Sequence, residues 1–285
     1  MSETTGGMVG VYIDGETKTG KGAASQAIAE SLENKGLNVY YDVAGDFFRR
    51  YVALVRQELG LRETDALPIG EPLQHAAETV YEGRQAFERN ESLGDLQRQS
   101  ISESVSILGE LAIAQRAGGE WWVMSTQRAV AAGADVIVLD GRNPRDRMHK
   151  QEAITGIKVP VVLDLFMTCE PGEAGRRELV KEGIDNPTAD QLHAATEHVI
   201  GRRDRDRKRT ELPFVAPTLS VLYVPGQSSV ADTIKSSWHD HDGAELPVTI
   251  TLDNTHIPKP DMLAAVTELA DTAIRFKLDD SVPIK

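Results

Sequence analysis

Val9-Gly10-Val11-Tyr12-Ile13-Asp14-Gly15-Glu16-Thr17-Lys18-Thr19-Gly20-Lys21-Gly22-Ala23 is the stretch from which the fold can be read. Val9 to Ile13 is a β-rich, continuously apolar run, the pattern of a strand buried on both faces of a parallel sheet. Gly15 to Lys21 fits G-x-x-x-x-G-K. Beyond it, Ala23, Ala24, Ala27, Ile28 and Leu32 recur at helical spacing and Gly36 supplies a stop. Leu37 to Tyr41 reads as a second strand. Strand, loop, helix and strand make a βαβ unit, which requires a parallel sheet and a right-handed crossover.

A glycine-bearing loop between a strand and a helix is built to hold phosphate. Its glycines let backbone N–H groups turn inward, and the helix N-terminus adds positive potential. Gly15, Glu16, Thr17, Lys18, Thr19, Gly20, Lys21, Gly22 and Ala23 are therefore the expected ATP-phosphate cradle, with Lys21 as the mobile cation for the β- and γ-phosphates. Such loops usually follow the lysine with Ser or Thr, whose hydroxyl faces Mg²⁺. Here Gly22 and Ala23 follow, and Ser25 reads as too far along. Mg²⁺ arriving with ATP is expected to be held through water, phosphates and a carboxylate, with Asp14 and Asp140 as candidates.

Working outward, residues 47–59 read as a helix, and 60–100 as further helices by their Ala, Glu, Gln and Leu content. Two more helices are expected over 101–117 and 120–132. Val136 to Asp140 and Val161 to Met167 are strong buried-strand signals. Helices follow over 171–182 and 188–201, then a charged run over 202–209. Leu219 to Val224 and Val248 to Leu252 read as strands, 225–247 as a surface excursion, and Asp261 to Phe276 as a closing helix. The fold class expected is α/β, a P-loop three-layer sandwich with a central parallel sheet of about five strands and helices on both faces.

The net charge is −13 and the lone cysteine is Cys169. So acidic a surface argues against nucleic acid as the main partner. One cysteine forbids an intrachain disulfide and fits a reducing cytoplasm. No apolar run reaches membrane-spanning length, so no membrane partner is expected. The opening MSETTGGMVG lacks the basic start and apolar core of a signal peptide and reads as a short lead-in. A monomer is expected.

Against that acidic background, residues 202–209 carry six cations and two anions. On a helix, Arg202, Arg205, Asp206 and Arg209 share a face. Converging guanidinium groups stabilise charge on a transferring phosphoryl group, while the plainer reading is a salt-bridged, solvated helix. Gly45-Asp46-Phe47-Phe48-Arg49 opens the helix after the second strand. Asp140-Gly141-Arg142 lies at the C-terminal end of a strand, where ligands bind in open α/β sheets. Lys21, Arg142, Arg205 and Arg209 are the expected catalytic cations.

Taken in order, these segments resemble the bacterial cytidylate kinases, a branch of the nucleoside monophosphate kinase family. Asp14-Gly15 with Gly20-Lys21-Gly22 resembles that family's phosphate loop, which also has Gly after Lys. Gly45 with Phe48-Arg49 is similar to its Ser-Gly-x-x-Tyr-Arg, and Ser102 to Ser106 to the stretch lining its pyrimidine pocket. Asp140-Gly141-Arg142 matches its Asp-Gly-Arg-Asp. Leu165-Phe166 through Arg176-Arg177 is similar to its next strand and helix. Asp204 to Arg209, followed by Ala216-Pro217, resembles its lid motif, the most specific match, and Leu252-Asp253-Asn254-Thr255 its closing Leu-Asp-Ser-Thr.

The resemblance implies one kinase domain. Its core would be 8–44, 120–200 and 248–285, its acceptor-binding insert about 45–119 and its arginine-rich lid about 200–214, with an extra surface segment about 219–247. It implies transfer of the γ-phosphoryl group of ATP to a pyrimidine nucleoside monophosphate, most simply CMP or dCMP. Arg49, Arg142 and Arg209 would grip the acceptor phosphate in a segment that includes Gly45 and Asp46. Arg202 and Asp206 would contact the acceptor, Asp206 at the ribose. Ser106 would touch the base edge, and Arg116 is the nearest candidate for a base-side arginine. Arg205 and Arg207 would lie in the lid over the ATP. Asn143 stands where the family has the Asp that reads the cytosine amino group, and an amide both donates and accepts. UMP, dTMP or a small alcohol are alternative acceptors, and nucleotide binding without catalysis is the alternative from another class. Ala44 replaces the family's sugar-side serine, and its β-rich insert is not apparent in 60–100.

Other features read more plainly. Trp121-Trp122 suits core packing rather than base stacking. Glu110 and Glu120 suit a helix surface, and Cys169 a small buried hydrophobe. His239-Asp240-His241-Asp242 brings metal-ligand types together with no further His or Cys nearby.

Overall fold

The computed structural model describes residues 7–62, 64–88, 99–208, 216–238 and 247–278. The expected strand over Val9–Ile13 is β1 (Val9–Gly15), and every residue of it is buried. It lies at the centre of one all-parallel sheet of six strands, against about five expected, in the order β2-β3-β1-β4-β6-β5. The others are β2 (Val39–Val43), β3 (Val136–Asp140), β4 (Val161–Thr168), β5 (Ser220–Tyr223) and β6 (Thr249–Asp253). Register pairs Ile13 with Asp140 on one side and with Leu165 on the other.

The two-residue period of a strand divides the interior into two layers. Val11, Ile13, Val136 and Val138 face α1 (Lys21–Glu33) and α10 (Lys259–Leu278). Tyr12, Ile137 and Leu139 face α2 (Ala44–Glu58), α3 (Glu71–Glu82) and α5 (Ala112–Ala131). Phe47, Trp121 and Trp122 are buried in that second layer, so the tryptophan pair is core as read.

Four sequence expectations need correction. No break separates 117 from 120, because α5 runs through Gly118-Gly119. A Cβ on Gly118 would lie 2.8 Å from the Phe48 ring, so glycine serves helix packing there and not helix ending. The break falls earlier, between α4 (Gln99–Leu108) and α5. Second, the charged run is not separate from the helix before it. α8 (Ala189–Arg207), opened by a Thr188–Gln191 capping box, carries it to Arg207. Third, 225–247 is not only a surface excursion. β5 extends the sheet where a strand was expected, but α9 (Val230–Trp238) also buries Ile234 in the layer of α10 side chains. Fourth, α6 (Pro144–Thr155) had no signal, since its few apolar residues do not recur at helical spacing among the charged ones. Proline at its first position is preset for a helix start. α7 (Pro171–Lys181) completes the set. No helix among the described residues is long and apolar enough to cross a membrane.

Candidate functional site

The chain leaves β1 toward β2 on one side of the sheet and leaves β3 toward β4 on the other. The loops after β1 and β3 therefore meet at the strands' C-terminal ends, the topological switch point of an open α/β sheet. A cleft of about 440 Å³ opens there.

Gly15 sets the loop's path. Its φ is +141°, and a Cβ would lie 2.1 Å from the Met167 carbonyl oxygen. No side chain fits so close to β4. Lys21 then folds back over the loop and donates from Nζ to the Gly15 and Glu16 carbonyls at 2.9 and 2.7 Å. Burial pulls its ammonium down to about 8, helped by the Arg142 charge and opposed by Asp140, Asp14 and Asp206.

Asp14 is committed to the backbone. It accepts from the Gly15 N–H at 2.6 Å and from the Asn143 N–H at 2.9 Å. Asp140 keeps a carboxyl toward the cleft, pushed up to about 6 by burial, with Lys21 opposing and Asp14 adding. Ser25, set aside in the sequence, donates to Asp140 Oδ2 at 3.4 Å and lies 3.0 Å from the Tyr41 hydroxyl. The described residues contain no cluster of three or more His, Cys, Asp or Glu able to hold a metal. Asp140 with Ser25 nevertheless suits Mg²⁺, which takes one or two carboxylates and otherwise phosphate and water oxygens. The 239–242 His/Asp segment lies outside the described residues.

Arginines arrive from three further segments. Arg142 donates to the Gly15 carbonyl, to Thr17 Oγ1 at 2.9 Å and to Asp206 of α8. Arg49 is held by Asp46 at 2.6 Å. Arg202 lines the cleft, and burial lowers it to about 10. Counting all the lining, seven Lys and Arg stand against three carboxylates, in a chain whose net charge is −13. A cleft so lined attracts anions even on an acidic protein.

Scanned against the models of known protein families, the chain matches none, and a search of curated proteins returns no match.

Thus Thr17 to Gly22, Gly45, Asp46, Arg49, Asp140, Arg142, Arg202 and Asp206 share one cleft. Gly15, Glu16, Ala23 and Ser106 do not line it. Asn143 does not line it either; its left-handed backbone (φ 49°) caps α6. Arg116 is displaced from the expected base side. It stands over the Tyr81 ring, 3.6 Å from Glu120. Arg205 points to Ser106, and Arg207 to Asp204 and Glu16. Arg209 lies outside the described residues.

The sequence reading missed Arg203 and Arg147. Arg203 reaches Glu16 at 2.7 Å and the Cys169 carbonyl at 2.9 Å, fastening α8 to the phosphate loop. Arg147 donates to the Arg142 carbonyl at 3.1 Å and to Gln115 at 3.0 Å, and it lines the cleft. Asn254 donates to the Thr19 carbonyl at 2.6 Å and steadies the loop from below.

Proposed function

We propose that the chain is a P-loop phosphotransferase that moves the γ-phosphoryl group of ATP to a small phosphorylated acceptor, a pyrimidine nucleoside monophosphate. The observation that carries this reading is the convergence of Lys21, Arg49, Arg142 and Arg202, from four separate segments, on one cleft that also holds Asp140 and Asp206. Phosphoryl transfer asks for positioning and charge neutralisation rather than covalent chemistry, and these residues supply both.

Lys21 and the backbone N–H groups of the loop would take the ATP phosphates. Arg142 would exchange a carbonyl and a hydroxyl partner for phosphate oxygens, a stronger, charge-assisted contact. Arg49 and Arg202 would orient the acceptor phosphate, and Asp206 an acceptor hydroxyl. Mg²⁺, carried in on ATP beside Asp140 and Ser25, neutralises phosphate charge when bound.

CMP and dCMP remain the first acceptors to test, on the resemblance given above. A 4-oxo base is a second reading, which rests on the resemblance alone, through the amide it puts at Asn143 in place of a carboxylate. That residue sits in the sequence where the resemblance puts its cytosine reader, yet it does not line the cleft. The test is ADP production from ATP and magnesium across CMP, dCMP, UMP, dTMP and small alcohols. We expect turnover with at least one monophosphate, and its loss by about a thousandfold or more in Lys21→Ala. ATP binding without ADP from any acceptor would overturn the proposal in favour of a binding protein.

A further inference from the structure

Val105 and Gly109, at the end of α4, line the cleft together with Phe48 and Arg49 of α2. On the function proposed above, on which this inference rests, they belong to the acceptor side, and the phosphate loop is the ATP side. The chain passes from α4 into α5 and not into a strand, so the sheet does not fix this wall directly. A relay of buried hydrogen bonds does.

The relay starts at the peptide unit between Arg142 and Asn143. Its N–H donates to Asp14 Oδ2 at 2.9 Å, and its carbonyl accepts from Arg147 Nε at 3.1 Å. Pinned at both ends, this unit fixes the turn from which Arg142 enters the cleft. Arg147 Nη2 then donates to Gln115 Oε1 at 3.0 Å, and Gln115 Nε2 donates to the Gly109 carbonyl. A guanidinium only donates and a carbonyl only accepts, so the Gln115 amide has one orientation. Gln115 and Arg147 are each 7% exposed, so water is poorly placed to replace a lost partner. The relay thus runs from the base of the phosphate loop to the end of α4.

We propose that Gln115 and Arg147 are positioning residues for the acceptor, which hold the end of α4 at a set distance from the phosphate loop. Glutamine suits the middle place because one neutral amide both accepts from a guanidinium and donates to a carbonyl.

The test places Gln115→Leu and Gln115→Glu in the full chain. The leucine removes both links. The glutamate keeps a charge-assisted pair with Arg147 but sets an oxygen against the Gly109 carbonyl. Both should raise the KM for CMP, or for the monophosphate that reacts best, by about tenfold, with kcat and the Kd of magnesium-bound ADP changed less than about threefold. Hydrogen exchange, which needs no turnover, should quicken about tenfold at the Gly109, Glu110 and Leu111 amides, whose own hydrogen bonds close the end of α4. Wild-type KM and exchange in Gln115→Glu would mean that Gln115 serves Arg147 alone and would overturn the proposal. Equal losses in ADP affinity and acceptor KM would overturn it too, as a general loosening of the fold. If the wild type turns over no acceptor, the phosphotransferase reading fails by itself, and the exchange still decides the relay. Arg147→Lys keeps the charge but not the fork that spans two oxygens, so it should quicken the same amides. It keeps the test open if neither Gln115 variant folds, and unchanged exchange in it would refute the relay.

Discussion

Protonation of Lys21 gives the phosphate reading its sharpest test. Burial holds this amine at about 8, while an ordinary lysine titrates near 10.5. A nucleotide phosphate placed against Nζ restores an opposite charge and returns the group toward its usual range. Binding must then take up protons wherever the free protein has lost them. With a free pKa of about 8 and a bound value near 10.4, the uptake is about 0.1 proton at pH 7, about 0.5 at pH 8 and about 0.9 at pH 9. The sign follows from linkage. Proton uptake means that affinity falls as pH rises, so Kd should grow about tenfold between pH 7 and pH 9. The assay is calorimetric titration with magnesium-bound ADP in buffers of different ionisation enthalpy, above the range where nucleotide phosphates and Asp140 titrate. Lys21→Met should abolish the uptake. Uptake of zero at pH 9, or uptake that survives in Lys21→Met, would refute the placement of phosphate on this lysine.

Other perturbations follow from the same geometry. Gly15→Ala drives a Cβ to 2.1 Å from the Met167 carbonyl, so it should yield no folded protein, read by circular dichroism of the expressed chain. Gly22→Ser should fold normally, since a Cβ there meets Asp140 Oδ2 at an ordinary 3.8 Å. The added hydroxyl should lower the magnesium concentration for half-maximal activity by about three- to tenfold. Asp140→Asn should raise Tm at neutral pH while removing activity. The native carboxyl keeps its proton to about 6 when folded, against about 3.8 when unfolded, so the stability lost to its ionisation develops as pH rises through that window. The Tm advantage of the amide should therefore close as pH falls toward 4. Trp121→Ala removes a ring stacked on Phe47 at 6.0 Å and should cost about 3–5 kcal/mol by denaturant unfolding.

The sheet's interior was legible because each central strand announces itself locally. β1, β3 and β4 are continuous apolar runs, and the loop after β1 needs glycine for a reason that one motif states. α6 was not legible. Its charged residues give no periodicity, and its start rests on the left-handed backbone of Asn143 ahead of Pro144. α9 was hidden by a polar composition, since only its contact with α10 shows that Ile234 belongs to the core. The partners of the cleft were harder still. Ser25 lies one helical turn beyond Lys21, and only the pairing of β1 with β3 brings Asp140 beside it.

Arg203 shows why a helical wheel is not enough. Spacing placed Arg202, Arg205 and Asp206 on one face, and Arg203 off it. Yet α8 crosses the phosphate loop so that both faces are used. Arg202 and Asp206 line the cleft, and Arg203 grips Glu16 beneath it. Glu16 itself, a free position in the motif, becomes the anchor that receives Arg203 and Arg207. Lys21, Arg49 and Arg142 likewise already hold protein oxygens, on the loop carbonyls, Asp46 and Asp206. These partners keep the cations aimed at the cleft at little ordering cost, and a phosphate must outcompete them. On the proposed reading a phosphate would gain most where it replaces a neutral carbonyl, at Lys21 and on one arm of Arg142. Against Asp46 and Asp206 the exchange is charge for charge and gains least. Lys21 and Arg142 are thus the residues whose loss should weaken phosphate binding most, and Arg49 the one whose role is chiefly orientation.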